Sequence, residues 1–191
     1  MSFVWSNLMF YADFKPVEKL IPLDHSALEA VATAFALDVP SVALLSLHSA
    51  APVQRIVHEL RELGVNAQSL DLLLADRGRA HLLQGTTTGT EEGPVMLVST
   101  VATTRGIDLP NLTHVFTIGI PYDGHRVNTY RHIAGRVGRF GRGGKVITVV
   151  KDKEEVEGDD GSVLFVQDEP KRMLMTLKEI GVQPTEFEHF G

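Results

Sequence analysis

The residues best suited to chemistry lie in the segment "YRHIAGRVGRFGRGGK", residues 130–145, where arginines recur at every third position with glycines between them. Arg136, Arg139 and Arg142 each present five N–H donors in a planar fork that fits the oxygens of a phosphate, and their charge does not titrate. The glycines allow the backbone to approach a polyanion closely. The pattern predicts a phosphate-binding segment; the alternative is a flexible basic hairpin that binds nothing.

A second polar segment, "TTRGIDLP" at residues 103–110, comes just after a predicted buried strand. Gly106 permits a tight turn or a close approach to a ligand. The carboxylate of Asp108 can accept hydrogen bonds from a sugar hydroxyl. The hydroxyls of Thr100 and of the threonines just after it can donate to phosphate oxygens or cap the next helix. The alternative is a turn whose polar side chains bond only to their own backbone.

The charge of the 191-residue chain is unevenly divided. The net charge is -6 overall, with -5 on residues 1–99, +5 on residues 100–145 and -6 on residues 146–191. A basic middle can bind phosphate in an acidic chain, because exposed charges more than about 8 to 10 Å apart are screened from one another. The alternative is a solvated basic face without a ligand.

The remaining composition excludes several classes of protein. The chain has no cysteine, which excludes disulfides and thiolate metal sites. Its apolar stretches are too short to span a bilayer. Its first residues lack the basic start and the small-residue cleavage site of a signal peptide. We therefore expect a soluble intracellular protein with no metal site of its own and no membrane partner, and the sequence leaves the compartment open.

Hydrophobic patterns predict strands that alternate with helices along the chain. The strands are predicted at residues 41–47, 65–70, 94–100, 113–121 and 145–150. The helices are predicted at residues 25–38 and 51–64, near the end of 71–85, from residue 124 onward and at 168–181. This alternation is typical of an α/β protein with a parallel sheet that is flanked by helices on both faces.

The predicted elements suggest three parts. Residues 1–39 form an N-terminal lead-in segment and helix, and residues 40–150 form the main α/β domain. Residues 151–191 hold an acidic insertion and a C-terminal helix that packs on the same domain. The acidic stretch 152–162 is too charged and glycine-rich to pack, so we predict a mobile surface insertion. Both polar segments would lie beyond carboxyl ends of strands, where ligands bind in such sheets.

Together the two polar segments carry a family resemblance. "STVATTRGIDLPNLTHVFTIGIP" followed by "YRHIAGRVGRFGRGGKVITVV" resembles motifs V and VI of the DEAD-box RNA helicases of superfamily 2. The resemblance covers roughly residues 40–150 and is strong from about residue 95. It implies a RecA-like fold and the second of the two lobes of a helicase core, with ATP in the cleft between the lobes and RNA across both.

The resemblance also implies roles for individual residues around ATP. Arg136 and Arg139 match the two arginine fingers that reach across the cleft to the γ-phosphate, and are therefore the expected catalytic residues. Gly106 and Asp108 are expected to contact the nucleotide as well, with the Asp108 carboxylate on the ribose. His132 matches the histidine that links this lobe to the first lobe.

The expected RNA contacts come from the same resemblance. Thr100, Arg105 and Gly106 match positions near the RNA backbone. The segment "LSLHSAAPVQRIVHELRELG" resembles the motif IV strand and helix, so Ser46 and Ser49 are expected near the sugar-phosphate path. These contacts would be made mainly to phosphate and sugar, with little preference for base sequence.

The sequence departs from the family pattern in ways that affect function. Val101 stands where the family has Asp, and Ile133 stands where it has Arg. The chain contains neither G-x-x-x-x-G-K-[ST] nor D-E-A-D, so the Mg²⁺ that accompanies ATP would be held by an N-terminal lobe. We predict that this chain alone does not hydrolyse ATP, whether it is an excised domain of a longer helicase or a natural half-protein.

Three functions are therefore compared. The first is the C-terminal lobe of an ATP-dependent RNA helicase. The second is a non-catalytic binding or assembly module of a ribonucleoprotein or protein complex, which the departures at Val101 and Ile133 favour. The third is a nucleotide-binding α/β enzyme outside the helicases; the absence of a phosphate loop and of G-x-G-x-x-G after the first strand counts against it.

Overall fold

The computed structural model shows an α/β fold. It describes residues 8–11, 25–48, 50–75, 93–104, 107, 109, 111–119, 126–137, 143–157 and 162–185. The strands are β1 Leu8–Tyr11, β2 Val42–Leu47, β3 Ala67–Ser69, β4 Val95–Thr100, β5 His114–Ile118, β6 Lys145–Lys151, β7 Glu154–Glu157 and β8 Val163–Gln167. The helices are α1 His25–Leu37, α2 Val53–Glu62, α3 Leu70–Ala75, α4 Val101–Thr104, α5 Arg126–Ala134 and α6 Glu169–Ile180.

Strands β1 to β6 form a single parallel sheet. The order of its six strands is β1-β6-β5-β2-β4-β3, and every neighbouring pair is parallel. The predicted parallel α/β architecture is therefore confirmed. Because all six strands run the same way, the segments that follow β4 and β5 both leave from the carboxyl edge of the sheet.

One face of the sheet packs against α1 and α2. Strand residues Leu45, Val98 and Phe116 point to this face and form a buried cluster with Val31 of α1 and Ile56 of α2. Helix α1 buries most of its length because alanine and larger apolar residues occupy nearly every inward position. Arg136, the one predicted ATP contact among the described residues, does not belong to this cluster.

The opposite face packs against α3, α5 and α6. Strand residues Leu44, Leu97 and Val115 alternate with those of the first cluster and meet Ile133 of α5 and Met173 of α6. Both faces are thus covered, which explains why the central strands read as continuous apolar runs. The helix that carries the arginine motif lies on this second apolar cluster.

Helix α6 begins and ends at residues whose chemistry predicts those boundaries. The Asp168 side chain accepts a hydrogen bond from the Lys171 N–H at 2.9 Å and so caps the first turn. At the other end Gly181 adopts φ 80°, the left-handed conformation that glycine tolerates. The helix predicted at 168–181 is confirmed to within one residue at each end.

Three segments differ from the sequence-based prediction. Strand β1 lies in the lead-in segment, for which no strand was predicted, and it pairs with β6 at the sheet edge. The acidic segment, predicted to be too charged to pack, contributes β7 to an antiparallel pair with β8. Its pairing sets Glu154 opposite Gln167 and Glu155 opposite Val166, so no like charges oppose each other at these positions. Helix α3 lies just before the predicted segment and within its start, and the later part of that segment lies outside the described residues.

The described helices include no candidate membrane span. None of them combines sufficient length with sufficient apolar character to cross a bilayer.

Candidate functional site

Helix α5 and the three residues after it position the arginine motif. The inward side chains Tyr130, Ile133 and Val137 are each at most 4% exposed and pack on the second apolar cluster. This burial fixes one side of the helix to the sheet and leaves His132 on the exposed side. The position of Arg136, just beyond the helix end, is therefore determined by how α5 lies on the sheet.

Gly135 allows the chain to turn tightly at the end of α5. Its N–H still donates to the Arg131 carbonyl at 2.8 Å. A Cβ at this position would lie 3.0 Å from the same carbonyl oxygen, closer than side chains ordinarily approach backbone. A glycine therefore lets the chain leave the helix here and bring Arg136 back toward the protein.

The Arg136 side chain is buried and held at both terminal nitrogens. It is 7% exposed, although arginine is seldom buried. Its Nη1 donates to the Ile107 carbonyl at 2.7 Å, and its Nη2 lies 2.6 Å from Nε2 of His132. Ile107 stands between Gly106 and Asp108 in the sequence, so the first bond connects the two predicted motifs.

The contact with Arg136 determines the state of the His132 ring. A guanidinium group can only donate hydrogen bonds, so Nε2 of His132 must accept. This requires a neutral imidazole with its proton on Nδ1. His132 was predicted to link to another lobe; in this structure its Nε2 faces Arg136 of its own lobe.

The threonines at the end of β4 and in the short helix α4 bond to nearby backbone and to each other. Thr100 Oγ1 accepts from the Thr103 N–H at 3.4 Å and lies at the same distance from the Thr103 hydroxyl. Thr104 Oγ1 donates to the Val101 carbonyl at 3.1 Å. These contacts are those of a cap on the short helix α4, which was the alternative to a phosphate contact. Thr100 is also only 9% exposed.

Ser46, predicted to lie near RNA, is buried in the sheet. The residue is 4% exposed, and its hydroxyl has no hydrogen-bond partner among the described residues. It lies in register with Ser99 of β4 and Thr117 of β5. The expectation of an RNA contact stays a prediction, and in this conformation the hydroxyl itself is not accessible.

The structure thus brings part of the predicted site together. Arg136, His132 and the Ile107 carbonyl meet in one place, and Thr100 lies at the carboxyl end of β4, next to the strand of Ser46. The other predicted residues lie outside the described part of the chain: Ser49, Arg105, Gly106, Asp108, Arg139 and Arg142.

Sequence reasoning missed a polar cluster at the amino ends of the strands. Lys145 Nζ, at the start of β6, lies 2.6 and 2.8 Å from the two carboxylate oxygens of Asp38. Nε2 of His114, at the start of β5, lies 3.3 Å from Oδ2 of the same carboxylate. The three residues are too far apart in sequence to suggest a cluster. They lie at the edge opposite to the candidate site.

The pKa values of this cluster reflect burial and mutual attraction. Burial lowers the pKa of His114 below its ordinary 6.5, and the Asp38 carboxylate only partly opposes this. Burial alone would raise the pKa of Asp38, but hydrogen bonds and charges of Lys145 and His114 outweigh it and hold that pKa below 3.8. The cluster therefore favours an ionised Asp38 beside a neutral His114.

With this geometry established, comparison with known proteins decides the family. Residues 37–141 match the family described as "Helicase conserved C-terminal domain". The chain belongs to this family. The matched range contains strands β2 to β5, the segment 103–110 and most of the segment 130–145. The resemblance to the C-terminal lobe of DEAD-box RNA helicases is confirmed.

The helicase domain matches curated relatives over part of their length. ATP-dependent RNA helicase SrmB of Escherichia coli is 34% identical over 99 residues, which cover 52% of this chain and 21% of SrmB. The matched part of the chain therefore spans about a fifth of that relative.

Solved structures show the same fold. The C-terminal domain of the DEAD-box protein Dbp5 has a TM-score of 0.62 at 19% identity, covering 95% of this chain and 88% of that one. S. cerevisiae Dbp5 bound to RNA and ADP BeF3 has a TM-score of 0.60 at 19% identity, covering 95% of this chain and 41% of Dbp5. The RecA-like fold is thereby confirmed.

Proposed function

We propose that this domain is the C-terminal lobe of an ATP-dependent RNA helicase, and that Arg136 and Arg139 act on ATP bound between it and an N-terminal lobe. The observation that carries the proposal is the hydrogen bond from Arg136 Nη1 to the Ile107 carbonyl at 2.7 Å. It joins the arginine motif to the segment of Gly106 and Asp108. Because both motifs are expected to contact one nucleotide, their direct contact supports a shared site.

The residues present fit a triphosphate. Arg136 is a cation that is 7% exposed, so its field is weakly screened and its direction is fixed by two bonds. The chemistry that ATP supplies when bound is transfer of its γ-phosphoryl group to water. Arg136 and Arg139 would stabilise the charge that develops on that group, while Asp108 and Gly106 would hold the sugar end.

Binding of nucleotide would change the partner of Arg136. Its Nη2 now bonds to the neutral ring of His132 at 2.6 Å. An anionic phosphate oxygen is a stronger acceptor than a neutral imidazole, because charge-assisted hydrogen bonds are roughly twice as strong as neutral ones. We propose that the phosphate replaces His132 at Nη2, which frees the histidine to contact the N-terminal lobe. The Ile107 bond would stay and keep the guanidinium oriented.

RNA would bind at the carboxyl edge of the same sheet. Thr100 is the last residue of β4, and Arg105 and Gly106 come after it in the sequence; Ser46 lies on the neighbouring strand β2, and Ser49 comes just after that strand. Because the hydroxyls of Thr100 and Ser46 are turned inward, we propose that Arg105 and backbone N–H groups provide most of the phosphate contacts. Structures such as S. cerevisiae Dbp5 bound to RNA and ADP BeF3 show both ligands on a protein of this fold.

The test is ATP hydrolysis by a two-lobe protein that contains this domain with an N-terminal lobe. We expect Arg136→Ala and Arg139→Ala each to lower kcat by about 10³ or more, as for other arginine fingers. Arg131→Ala is a matched control, because it removes an exposed arginine from the same helix, and its kcat should stay within about twofold of wild type.

One further variant and one further measurement show whether a loss of activity comes from the missing guanidinium, from the missing charge or from unfolding. Arg136→Lys keeps the charge without the fork, so it separates charge from geometry. Circular dichroism and urea unfolding show whether each variant is folded under assay conditions. A loss of less than about tenfold in a folded Arg136→Ala protein would exclude the finger role.

A second candidate function is a helicase-derived assembly module without turnover. The observation that favours it is the packing of the two departures from the family pattern: Ile133 is 4% exposed in the second apolar cluster, and Val101 packs against the same cluster. Both side chains therefore pack in the apolar core and make no polar contact. If the two-lobe protein lacks the phosphate-loop lysine and binds RNA without hydrolysing ATP, this function replaces the first.

A further inference from the structure

Tyr130 joins the helix that carries the arginine motif to the interior of the sheet. The residue is 3% exposed, and its hydroxyl lies 3.1 Å from Thr148 Oγ1 on β6. Thr117 Oγ1 on β5 donates to the same oxygen at 3.0 Å. A hydroxyl can donate one hydrogen bond and accept others at the same time. A chain of hydrogen bonds therefore runs from α5 into two adjacent strands.

The two threonines belong to a row of hydroxyls that crosses four strands. The row consists of Ser99, Ser46, Thr117 and Thr148, which lie in register on β4, β2, β5 and β6. Each is at most 4% exposed. The row lies on the face covered by α5, among side chains of the second apolar cluster. Buried hydroxyls are unfavourable in such surroundings unless they form hydrogen bonds.

The hydrogen bond of Tyr130 to this row constrains the orientation of α5 on the sheet, which apolar packing alone does not. The contacts of Ile133 and Ala134 with the sheet are hydrophobic, and such contacts depend on buried area rather than on direction. A hydrogen bond, in contrast, weakens steeply when its distance or angle changes. The phenol of Tyr130 therefore constrains the position of the helix on the sheet more sharply than its apolar neighbours do.

We propose that Tyr130 is a positioning residue, which fixes α5 on the sheet and thereby holds the guanidinium of Arg136 in place. Ala134, the last residue of α5, lies four residues after Tyr130, roughly 6 Å along the helix, and Arg136 follows two residues later. A slide or tilt of α5 at Tyr130 would displace Arg136 from the Ile107 carbonyl and from His132. The effect on catalysis rests on the proposed function, whereas the effect on the geometry of Arg136 does not.

The Tyr130 bond is also insensitive to physiological pH. Burial raises the pKa of the Tyr130 phenol to about 12, so the hydroxyl keeps its proton. Any pH dependence observed in the Arg136 contact must then come from another group, and Tyr130 variants can be compared with wild type at a single pH.

The first experiment observes Arg136 and His132 directly by NMR in the isotope-labelled chain. Tyr130→Phe removes only the hydroxyl. We expect the His132 ring nitrogens to shift from a single Nδ1–H form toward a mixture. Exchange of the Arg136 guanidinium protons should accelerate about 3- to 10-fold, the factor that corresponds to one lost hydrogen bond. Thr148→Val should have a similar effect.

The double variant and two controls make the result specific. Thr148→Val removes the Tyr130 contact and also the acceptor of the Thr117 hydroxyl. Tyr130→Phe combined with Thr148→Val should therefore change little beyond Thr148→Val alone, because the Tyr130 contact is already lost in that variant. Thr148→Ser keeps the hydroxyl and should resemble wild type. Thr33→Val removes a hydroxyl that donates to the Glu29 carbonyl at 2.7 Å on α1, and it should leave Arg136 unchanged even if stability falls.

The second experiment measures ATP hydrolysis in the two-lobe protein. We expect Tyr130→Phe to lower kcat about 3- to 10-fold with KM for ATP within about twofold. The proposal would be overturned if a folded Tyr130→Phe protein showed the same His132 ring-nitrogen shifts and the same Arg136 proton exchange as wild type. If that variant does not fold, Thr148→Val decides in the same way. If wild type itself shows no ATP hydrolysis, the proposed function fails and the NMR result still stands.

Discussion

Acidification should weaken the fold through His114, which lies at the start of β5 in contact with the Asp38 carboxylate. The His114 side chain is 8% exposed, with Nε2 3.3 Å from Oδ2 of Asp38. Burial lowers the pKa of His114 below 6.5, so the folded protein resists a protonation that the unfolded chain accepts readily. Between 6.5 and the lowered pKa the unfolded state binds more protons, and stability therefore falls as the pH falls.

The size of this effect has an upper bound. If His114 stayed neutral in the folded protein down to about pH 5.5, the unfolded state would gain about 1.4 kcal/mol from protonation of this group. For a chain of this size, that corresponds to a loss of roughly 3 to 6 °C in Tm. The attraction of Asp38 reduces the effect in wild type. Asp38→Asn removes that attraction, so the unfolding free energy that this variant loses on acidification should come closer to the upper bound.

The assay is urea unfolding at about pH 7.5 and about pH 5.5, with the difference in unfolding free energy taken for each variant. His114→Gln should show a smaller loss than wild type on acidification, and Asp38→Asn a larger one. His58→Gln, which removes an exposed histidine of α2, should match wild type. If His114→Gln loses as much stability on acidification as wild type does, or if wild type gains stability, the assigned role of burial is wrong.

Two further predictions concern helices on the second face. Ile133→Arg restores the residue typical of the family at a position that is 4% exposed, and it should lower the free energy of unfolding by about 2 to 4 kcal/mol in urea titrations; an unchanged midpoint would show that the arginine finds a polar environment. Gly181→Ala should cost about 1 kcal/mol from backbone strain alone, because φ is 80° and nothing lies within 4 Å of the added Cβ; Gly143→Ala, at an exposed glycine without positive φ, is the control and should change stability little.

The central fold could be predicted because its strands are buried on both faces. Such strands read as unbroken runs of β-branched and apolar residues, as in β4 and β6. Strand β1 was missed because "LMFY" is short and contains no β-branched residue. The β7–β8 pair was missed because acidic residues dominate β7, in which Val156 is the one apolar residue, although the paired positions of β8 carry no like charge.

Only those features of the candidate site that depend on side-chain types and their spacing could be predicted from the sequence. The spacing of the arginines and the glycine between the helix and Arg136 were readable from sequence. The partners of Arg136 were not, because the Ile107 carbonyl has no side-chain signature and its position depends on the path of the backbone. The Asp38–His114–Lys145 cluster could not be predicted for a related reason. Its three residues come together only because the sheet topology places the amino ends of β5 and β6 next to the end of α1.

Because of the two departures from the family pattern, the orientation of α5 depends more on its remaining hydrogen bonds. Val101 and Ile133 both pack on the second apolar cluster, where their contacts add burial without fixing direction. Polar residues at these positions could have formed hydrogen bonds that orient α4 and α5. In their absence, α5 is oriented by the bonds of Tyr130 to Thr148 and of Arg126 to Thr176 and Glu179, and the bond of Arg136 to Ile107 follows just beyond the helix end. A lobe altered in this way can keep Arg136 oriented while it loses contacts elsewhere, so the two departures are compatible with the proposed helicase function as well as with the assembly module.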